Sequence, residues 1–461
     1  MSVKSRLKEL NKRLAQKLTS KGVQAAETET TTELINKVDN VTIVDPNCTD
    51  WRYFSYYDNR NSMVENLKYS DTSNGTNFKD MCYYCSTLTS IPELDTSQGT
   101  DFSEMFYCCK ALTSMPQQLD TSKGKDFTRM FGHCTSLTSI PELNTSNGTK
   151  FYSMFENCQA LTSIPQIDTS NGTSFRFMIS KCKSLTSIPQ LNTSKGTDFG
   201  CMFSYSTSLT SIPLLNTSKG TDFTQMFYGC SALTTIPELN TSSGTKFEQM
   251  FMDCTSLTTI PLLNTTKCKE FSGMFRGCTA LTTIPLLDTS NATTLSSMFS
   301  GCSSLTSIPQ LITNKVKWME GTFSECTSLT SIPNLSTVSV KGFSNTFKNC
   351  SNLTTIPPLS VTNATSFSNT FTGCTSLVNL RLTGTMQISG FNVSPCTKLS
   401  KASITSIINV LSSTTTGKSV TLSLTAVNTA FETSSGAGDG STSEEWTTLI
   451  ATKSNWTISL S

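Results

Sequence analysis

The sequence predicts an α/β solenoid of about thirteen 24-residue repeats, with an N-terminal helical segment and a C-terminal αβ cap. A hydrophobic pattern returns every 24 residues between Asp71 and Cys374, apart from one 25-residue step to Cys134, and twelve of the 18 cysteines occupy one place in it. Only 36% of the residues are hydrophobic, which suits a stack where each repeat buries a few side chains against its neighbours. We therefore expect an N-terminal segment and linker (1–44), an aromatic cap (45–70), the solenoid (71–380) and a C-terminal cap (381–461).

The N-terminal segment is basic and has helical spacing. Apolar residues recur at steps of four, three and four between Val3 and Leu18, which predicts an amphipathic helix. The helix either associates with itself or docks on its own chain or on a partner. A second short helix is predicted from near Thr31, because Thr30 and Glu33 have capping-box spacing.

Five aromatic residues crowd the segment before the first repeat, namely Trp51, Tyr53, Phe54, Tyr56 and Tyr57. A solenoid end exposes apolar core, so the simplest interpretation is a cap. An aromatic ligand-binding platform is the alternative.

The best-kept repeat runs from Leu233 to Cys254. A short strand is predicted over Leu233–Ile236, ended by Pro237, which cannot donate a ladder hydrogen bond. The spacing of Phe247, Met250, Phe251 and Cys254 predicts one face of a single helical turn.

Between these elements lies turn chemistry, an Asx residue at Asn240 followed by Gly244, which can take positive φ. We expect an Asx-turn ladder that bonds adjacent coils. A calcium ladder is the alternative, but Asp and Asn interchange at this place and no second acidic ligand accompanies each one.

The repeated cysteines are predicted to be small buried thiols. Ser206 replaces one of them, so the position does not require a disulfide. Zinc binding by Cys82, Cys85 and Cys108–Cys109 is the weaker alternative, because Cys85 and Cys109 already belong to the repeated core position.

The chain offers little for catalysis. Its single histidine is His133, no phosphate-cradling glycine loop is present, and we expect no catalytic residue, metal or cofactor. A net charge of +2 predicts no nucleic-acid partner. The lack of a long apolar run or secretory signal predicts a soluble chain that is not conventionally exported unless a leader precedes it.

After Cys374 the period ends. Residues 399–411 and 443–452 have helical spacing, whereas 419–424 and 456–460 alternate as strands do. A Gly/Ser loop at 434–441 separates the pieces.

Binding specificity is expected where side chains vary without disturbing the core, at the pair before each Met and the pair before each Cys. Aromatic and Arg side chains contribute most to recognition. The candidate ligand-binding residues are Tyr83, Tyr84, Tyr107, His133, Tyr152, Arg176, Phe177, Tyr205, Tyr228 and Arg276. The alternative is that these rings only pack against neighbouring turns.

The motifs Met-Phe-x-x-Cys-x-x-Leu-Thr-x-Ile-Pro and Asp/Asn-Thr-Ser-x-Gly-Thr resemble the BspA-like leucine-rich repeats of bacterial surface proteins. The flanks resemble bacteriophage tail or virion proteins, in Glu33-Leu-Ile-Asn-Lys-Val38 and in Ser403-Ile-x-x-Ile-Ile-Asn-Val-Leu411.

These resemblances imply a leucine-rich-repeat virion protein that attaches to virion or tail proteins through its N-terminal segment. Its solenoid would bind a bacterial surface protein or glycan, with homo-oligomer formation as an option. A bacterial cell-surface adhesin and a ligand-free decoration protein are the alternatives.

Overall fold

The structure is a computed structural model that describes residues 12, 15–16, 48–52, 54, 71–432 and 443–461. Lys12, Ala15 and Gln16 are helical. The rest of the predicted N-terminal helix, the helix near residue 31, most of the aromatic cap and the 434–441 loop lie outside the described residues. The chain forms two compact units, Met1–Lys195 and Gly196–Ser461, and each is described by itself. No helix within the described ranges is long and apolar enough to cross a membrane.

The same inward positions recur in every coil. We number each repeat from its first core residue, so that Phe247 is position 1 and Glu270 is position 24. The side chains of Phe247, Met250, Phe251 and Cys254, at positions 1, 4, 5 and 8, are fully buried. Phenylalanine rings stack from coil to coil, with centroids 5.4 Å apart for Phe223 and Phe247. The hydrophobic pattern therefore predicted the core-facing residues.

The predicted helical turn over positions 1–8 is wrong. Gln249 and Asp253, at positions 3 and 7, have φ values of 56° and 58°. The chain makes successive tight turns, in which Met250 N donates to Phe247 O (3.2 Å) and Met252 N to Gln249 O (3.1 Å). This alternation keeps the inward spacing of a helical turn and also aims every second N–H at the next coil.

The inter-coil hydrogen bonds of these turns form a regular ladder. Gln249 N donates to Ser272 O (3.0 Å), and Asp253 N donates to Arg276 O (2.7 Å). A helical turn would have used these donors internally.

The predicted strand over Leu233–Ile236 is also absent, although the segment is extended. Stacked coils share one backbone bond there, from Thr258 N to Thr234 O (3.3 Å). At this place in the described repeats, regular pairing appears between β1 (Thr355–Ser360) and β2 (Asn379–Thr383), which are parallel. In β2, Arg381 occupies the place of the repeat proline, so a backbone donor is restored.

The Asx turns are confirmed, but a different residue joins the coils. Asn240 Oδ1 accepts from Ser242 N (3.1 Å) within its own turn. The buried hydroxyl of Thr241 donates to Asn264 O in the next coil (3.0 Å). The Asx side chain therefore shapes the turn and the threonine beside it bonds the stack.

The glycine at position 22 has another role than the predicted positive φ. A Cβ on Gly148 would lie 2.7 Å from the Phe151 ring and 2.9 Å from the Phe127 ring, and its φ is not positive. Gly148 therefore leaves room for the two core rings that pack against it.

The buried-thiol prediction is confirmed, since all 18 cysteines are free. Each repeat thiol also donates a hydrogen bond, as Cys254 Sγ does to Phe227 O in the preceding coil (3.0 Å). Burial raises the pKa of Cys230 to about 12. The thiols are therefore protonated donors within the core.

The predicted helices and strands after the repeats are observed, and their role as a cap stays a prediction. They are β3 (Phe391–Asn392), α1 (Lys401–Asn409), β4 (Lys418–Leu422), α2 (Leu424–Ala430), α3 (Glu444–Ala451) and β5 (Trp456–Leu460). The strands form a parallel sheet in the order β3-β4-β5, and α2 was not predicted.

Helix α1 covers the free edge of β2. The hydroxyl of Ser403 accepts from Leu380 N (3.0 Å) and that of Ser406 accepts from Leu382 N (2.8 Å). Serine side chains thus replace the next coil, which satisfies the edge donors.

Candidate functional site

The candidate residues occupy four positions of the repeat. Positions 2 and 3 are the pair before the Met, and positions 6 and 7 are the pair before the Cys. Seven candidates lie in the first unit and three in the second. We describe the two groups separately.

In the first unit, four candidate rings form one contiguous surface, which we call the aromatic ridge. Tyr83 stacks on Tyr107 of the next coil (centroids 5.3 Å apart) and tilts against Tyr84 (4.7 Å). Tyr107 meets His133 edge to face at 5.2 Å. All four residues are half-buried, so each ring packs on a neighbouring coil and keeps part of its surface in solvent.

The repeat backbone makes room for this ridge. A Cβ on Gly132, at position 6, would lie 2.9 Å from the Tyr107 ring. Burial, helped by Cys108 and Tyr84, raises the pKa of Tyr107 to about 12. Its phenol therefore remains a neutral hydrogen-bond donor at physiological pH.

Arg129 extends the ridge and was missed from the sequence. Its guanidinium lies 5.8 Å from the Tyr107 ring centre and 5.3 Å from that of Tyr152, and it forms an ion pair with Glu104 at 3.4 Å. Cation–π contacts of this kind fix the planes of both rings. Its place at position 3, in the pair before Met130, was the available signal.

The single histidine is part of the same surface. His133 Nδ1 lies 3.1 Å from Asn157 Nδ2. Burial lowers the pKa of His133, although Glu156 acts in the opposite direction. The imidazole is therefore mainly neutral at pH 7 and offers a polar edge beside the tyrosines.

The remaining first-unit candidates form a second contact group. Tyr152 meets Phe177 edge to face at 6.0 Å. The guanidinium of Arg176 lies 5.2 Å from the centre of the Phe177 ring. Arg129 joins this group to the ridge through Tyr152.

The second unit holds a tyrosine pair. The rings of Tyr205 and Tyr228 are 4.6 Å apart, and Tyr205 is 39% exposed. A hydrogen bond with Tyr228 and burial raise the pKa of Tyr205 to about 12. Arg276 is exposed two repeats beyond Tyr228, so the structure does not bring it to the pair.

Position 7 carries backbone strain in both units. Tyr84, His133 and Tyr205 have φ values of 58°, 63° and 59°. Glycine occupies this position in four later repeats, namely Gly229, Gly277, Gly301 and Gly373. The left-handed backbone at position 7 belongs to the repeat itself, since six further residues adopt it, namely Cys108, Asn157, Lys181, Asp253, Glu325 and Asn349.

The second unit also contains an apolar groove that sequence reasoning missed. It has a volume of about 710 Å³ and is lined by Leu262, Leu286 and Ile312. These side chains are 69%, 62% and 47% exposed. The signal was leucine at position 16, where other repeats have residues such as Glu238 and Gln310.

Stacked coils of about 24 residues with a repeated buried core and outward side chains define a repeat protein of the solenoid class. The chain belongs to the family described as "Mycoplasma protein of unknown function, DUF285", which matches residues 52–165, 139–235, 208–307 and 270–385. No curated protein matches the chain.

Several solved structures are similar to this chain. A leucine-rich repeat protein from Bacteroides ovatus is 19% identical, with 65% of this chain and 79% of that chain covered and a TM-score of 0.36. A leucine-rich cell surface protein from Faecalibacterium prausnitzii is 21% identical, with 67% and 76% covered and a TM-score of 0.31. A leucine-rich repeat protein from Eubacterium ventriosum is 18% identical, with 64% and 78% covered and a TM-score of 0.36.

Proposed function

We propose that this chain is a non-enzymatic recognition protein whose aromatic ridge and tyrosine pair bind a protein or glycan on a bacterial surface. The observation that carries the proposal is the contact of four half-buried rings, Tyr83, Tyr84, Tyr107 and His133, across three neighbouring coils. Each ring keeps part of its surface in solvent, where a ligand can contact it.

The ridge has the composition of a recognition surface. Tyrosines provide rigid contact area with a polar tip, and Arg129 adds a cation held between two rings. The rings are already packed on neighbouring coils, so little side-chain entropy is lost on binding. The same packing is the basis of the alternative, in which the rings serve only to join the coils.

The histidine supports a binding role over a catalytic one. His133 stands between the Tyr107 ring and Asn157. Glu156 acts on its charge, but among the described residues no carboxylate accepts a hydrogen bond from the ring to orient it as a general base. Its imidazole edge can instead accept or donate one hydrogen bond to a ligand.

Two biological locations fit such a recognition protein. A phage particle, with residues 1–44 attached to virion or tail proteins, is favoured by the resemblance of the flanks to phage proteins. A bacterial cell-surface adhesin is favoured by the resemblance of the repeats to BspA-like surface proteins. In either setting we propose no nucleic-acid partner and no membrane insertion of the repeats, and a ligand-free decoration protein is the third option.

The location of the protein distinguishes the phage particle from the bacterial cell surface. Antibody against the repeats should label purified phage particles, and deletion of residues 1–40 should leave folded repeats that no longer incorporate. Labelling of intact uninfected cells, with none on particles, would replace the virion proposal with the adhesin. Incorporation of the truncated chain would place attachment outside residues 1–40.

A further inference from the structure

The turn before position 1 changes its sequence in two stacked repeats of the second unit. The usual Asn-Thr-Ser-x-Gly-Thr followed by a polar residue becomes Ile312-Thr-Asn-Lys-Val-Lys-Trp318 and then Ser336-Thr-Val-Ser-Val-Lys-Gly342. The backbone is retained, because Lys341 N donates to Lys317 O (2.8 Å) and Trp318 bridges to Gly342. The exposed side chains differ, and buried Val316 and Val340 replace the usual glycine.

Trp318 stands where other repeats use a polar cap. At the same position 24, Asp222 Oδ1 accepts from Thr224 N (3.0 Å), and Thr294 Oγ1 accepts from Ser296 N (3.1 Å). An indole offers no acceptor for this bond. The side chain of Trp318 is instead 43% exposed. An exposed ring therefore replaces the side-chain acceptor found at position 24 of other repeats.

Lys317 and Lys341 likewise replace threonines that bond the stack. At this position 23, Thr293 Oγ1 donates to Lys269 O (3.2 Å), and Thr365 Oγ1 donates to Lys341 O (3.0 Å). Both lysines are exposed and lie on directly bonded coils, about 4.8 Å apart at the backbone. Two stacked ammonium groups repel each other unless an anion lies between them.

Some lysines elsewhere on the coils have carboxylate partners. Lys150 pairs with Asp126 at 2.8 Å, and Lys246 pairs with Asp222 at 3.3 Å. Within the described ranges, neither Lys317 nor Lys341 forms an ion pair. These two charges are therefore available to an external anion.

We propose that Lys317, Trp318 and Lys341 form a platform that binds an acidic carbohydrate. The indole face packs against the C–H face of a sugar ring, and the two ammonium groups bind its carboxylate, sulfate or phosphate. This platform is separate from the aromatic ridge and the tyrosine pair, so it does not depend on the function proposed for them.

The neighbouring carboxylate of Glu320 favours a sugar over a nucleic acid as the ligand. The carboxylate of Glu320, whose Oε2 accepts from the Ser296 hydroxyl (3.0 Å), lies two residues from Trp318. It would repel a continuous phosphate backbone but can accept bonds from sugar hydroxyls. A single exposed ring also gives no stacking series for successive bases.

A glycan array with neutral, uronic-acid, sialylated, sulfated and phosphorylated sugars tests the platform, using the full chain. Acidic glycans should be retained, and Trp318→Thr and the double variant Lys317→Thr/Lys341→Thr should each weaken binding about tenfold. Threonine is native at both positions in other repeats, so these variants should fold with an unchanged Tm. If Trp318→Thr did not fold, the lysine variant alone would decide.

The matched control is Lys125→Thr/Lys269→Thr, the same substitution at the same position beside Asp126 and Glu270. It should keep binding within about twofold, since exposed charges act weakly at a distance. Equal loss in the control, equal retention of neutral glycans, no retained acidic glycan, or stronger binding of single-stranded DNA would overturn the proposal.

Discussion

The ring of Tyr205 lies over Gly229 of the next coil, where a Cβ would come within 2.8 Å of Tyr205 Cδ1. Both residues occupy position 7 and both have positive φ, 59° for Tyr205 and 70° for Gly229. A glycine stands at position 7 of this second coil because the Tyr205 ring occupies the space that a side chain at Gly229 would need.

Glycine substitutions at position 7 should therefore differ in cost. Gly301→Ala should destabilise the chain by about 1–2 kcal/mol, because a residue with a Cβ disfavours the φ of 77° at this position. The added Cβ would meet no steric clash, since its nearest neighbour is Gly277 N at 3.4 Å. Gly229→Ala should cost more, since it also displaces the Tyr205 ring. Thermal melts of both variants measure this, and equal melting temperatures for Gly229→Ala and the native chain would contradict the left-handed turn.

The cysteine ladder should tolerate reduction and should distinguish serine from alanine. Cys254→Ala removes the donor to Phe227 O and leaves a small cavity, a loss of about 1–3 kcal/mol. Cys254→Ser retains a donor and should cost less, since serine is native at this position as Ser206. Denaturation with and without reductant tests both points; a large fall in Tm on reduction would indicate bridged cysteines.

Stability should fall as the pH drops from 7 to 5, in part through His133. The folded state holds the pKa of His133 below its ordinary value, so near and below about pH 6.5 the unfolded chain binds a proton that the folded chain resists. His133→Asn, with a side chain that tolerates positive φ, should lose less stability over this range. Because the chain has one histidine, parallel slopes for the two proteins would contradict the assignment.

Much of the fold could be predicted from the sequence, because buried positions repeat with a fixed period. Phe247, Met250, Phe251 and Cys254 all face the core as predicted. The backbone between them could not be predicted from that spacing, since a helical turn and two left-handed turns place the same residues inward. Glycine recurring at position 7, as at Gly301, was the signal that distinguishes the two.

The candidate site was predicted only as a set of outward residues. Which rings touch depends on the coil-to-coil register, so the contact of Tyr107 with His133 could not be read from spacing. Arg129 met the stated criteria, as an Arg in the pair before Met130, and was overlooked. Leu262 was missed because position 16 was not among the variable positions considered.

The central claim is that the outward tyrosines recognise a bacterial surface. The triple variant Tyr107→Ser/Tyr152→Ser/Tyr228→Ser removes one ring from each contact group and should melt within a few degrees of the native chain, since each lost ring contact is worth about 1 kcal/mol. The control Leu214→Gln/Leu262→Gln/Leu286→Gln removes exposed side chains at position 16, where Gln310 is native.

Adsorption of the labelled chains to a panel of intact bacterial strains is the most direct measurement. The account predicts that the native chain and the leucine control adsorb to the same strains, and that the folded tyrosine variant does not. Unchanged adsorption of the folded tyrosine variant would contradict the account and show that these rings serve only to pack the coils.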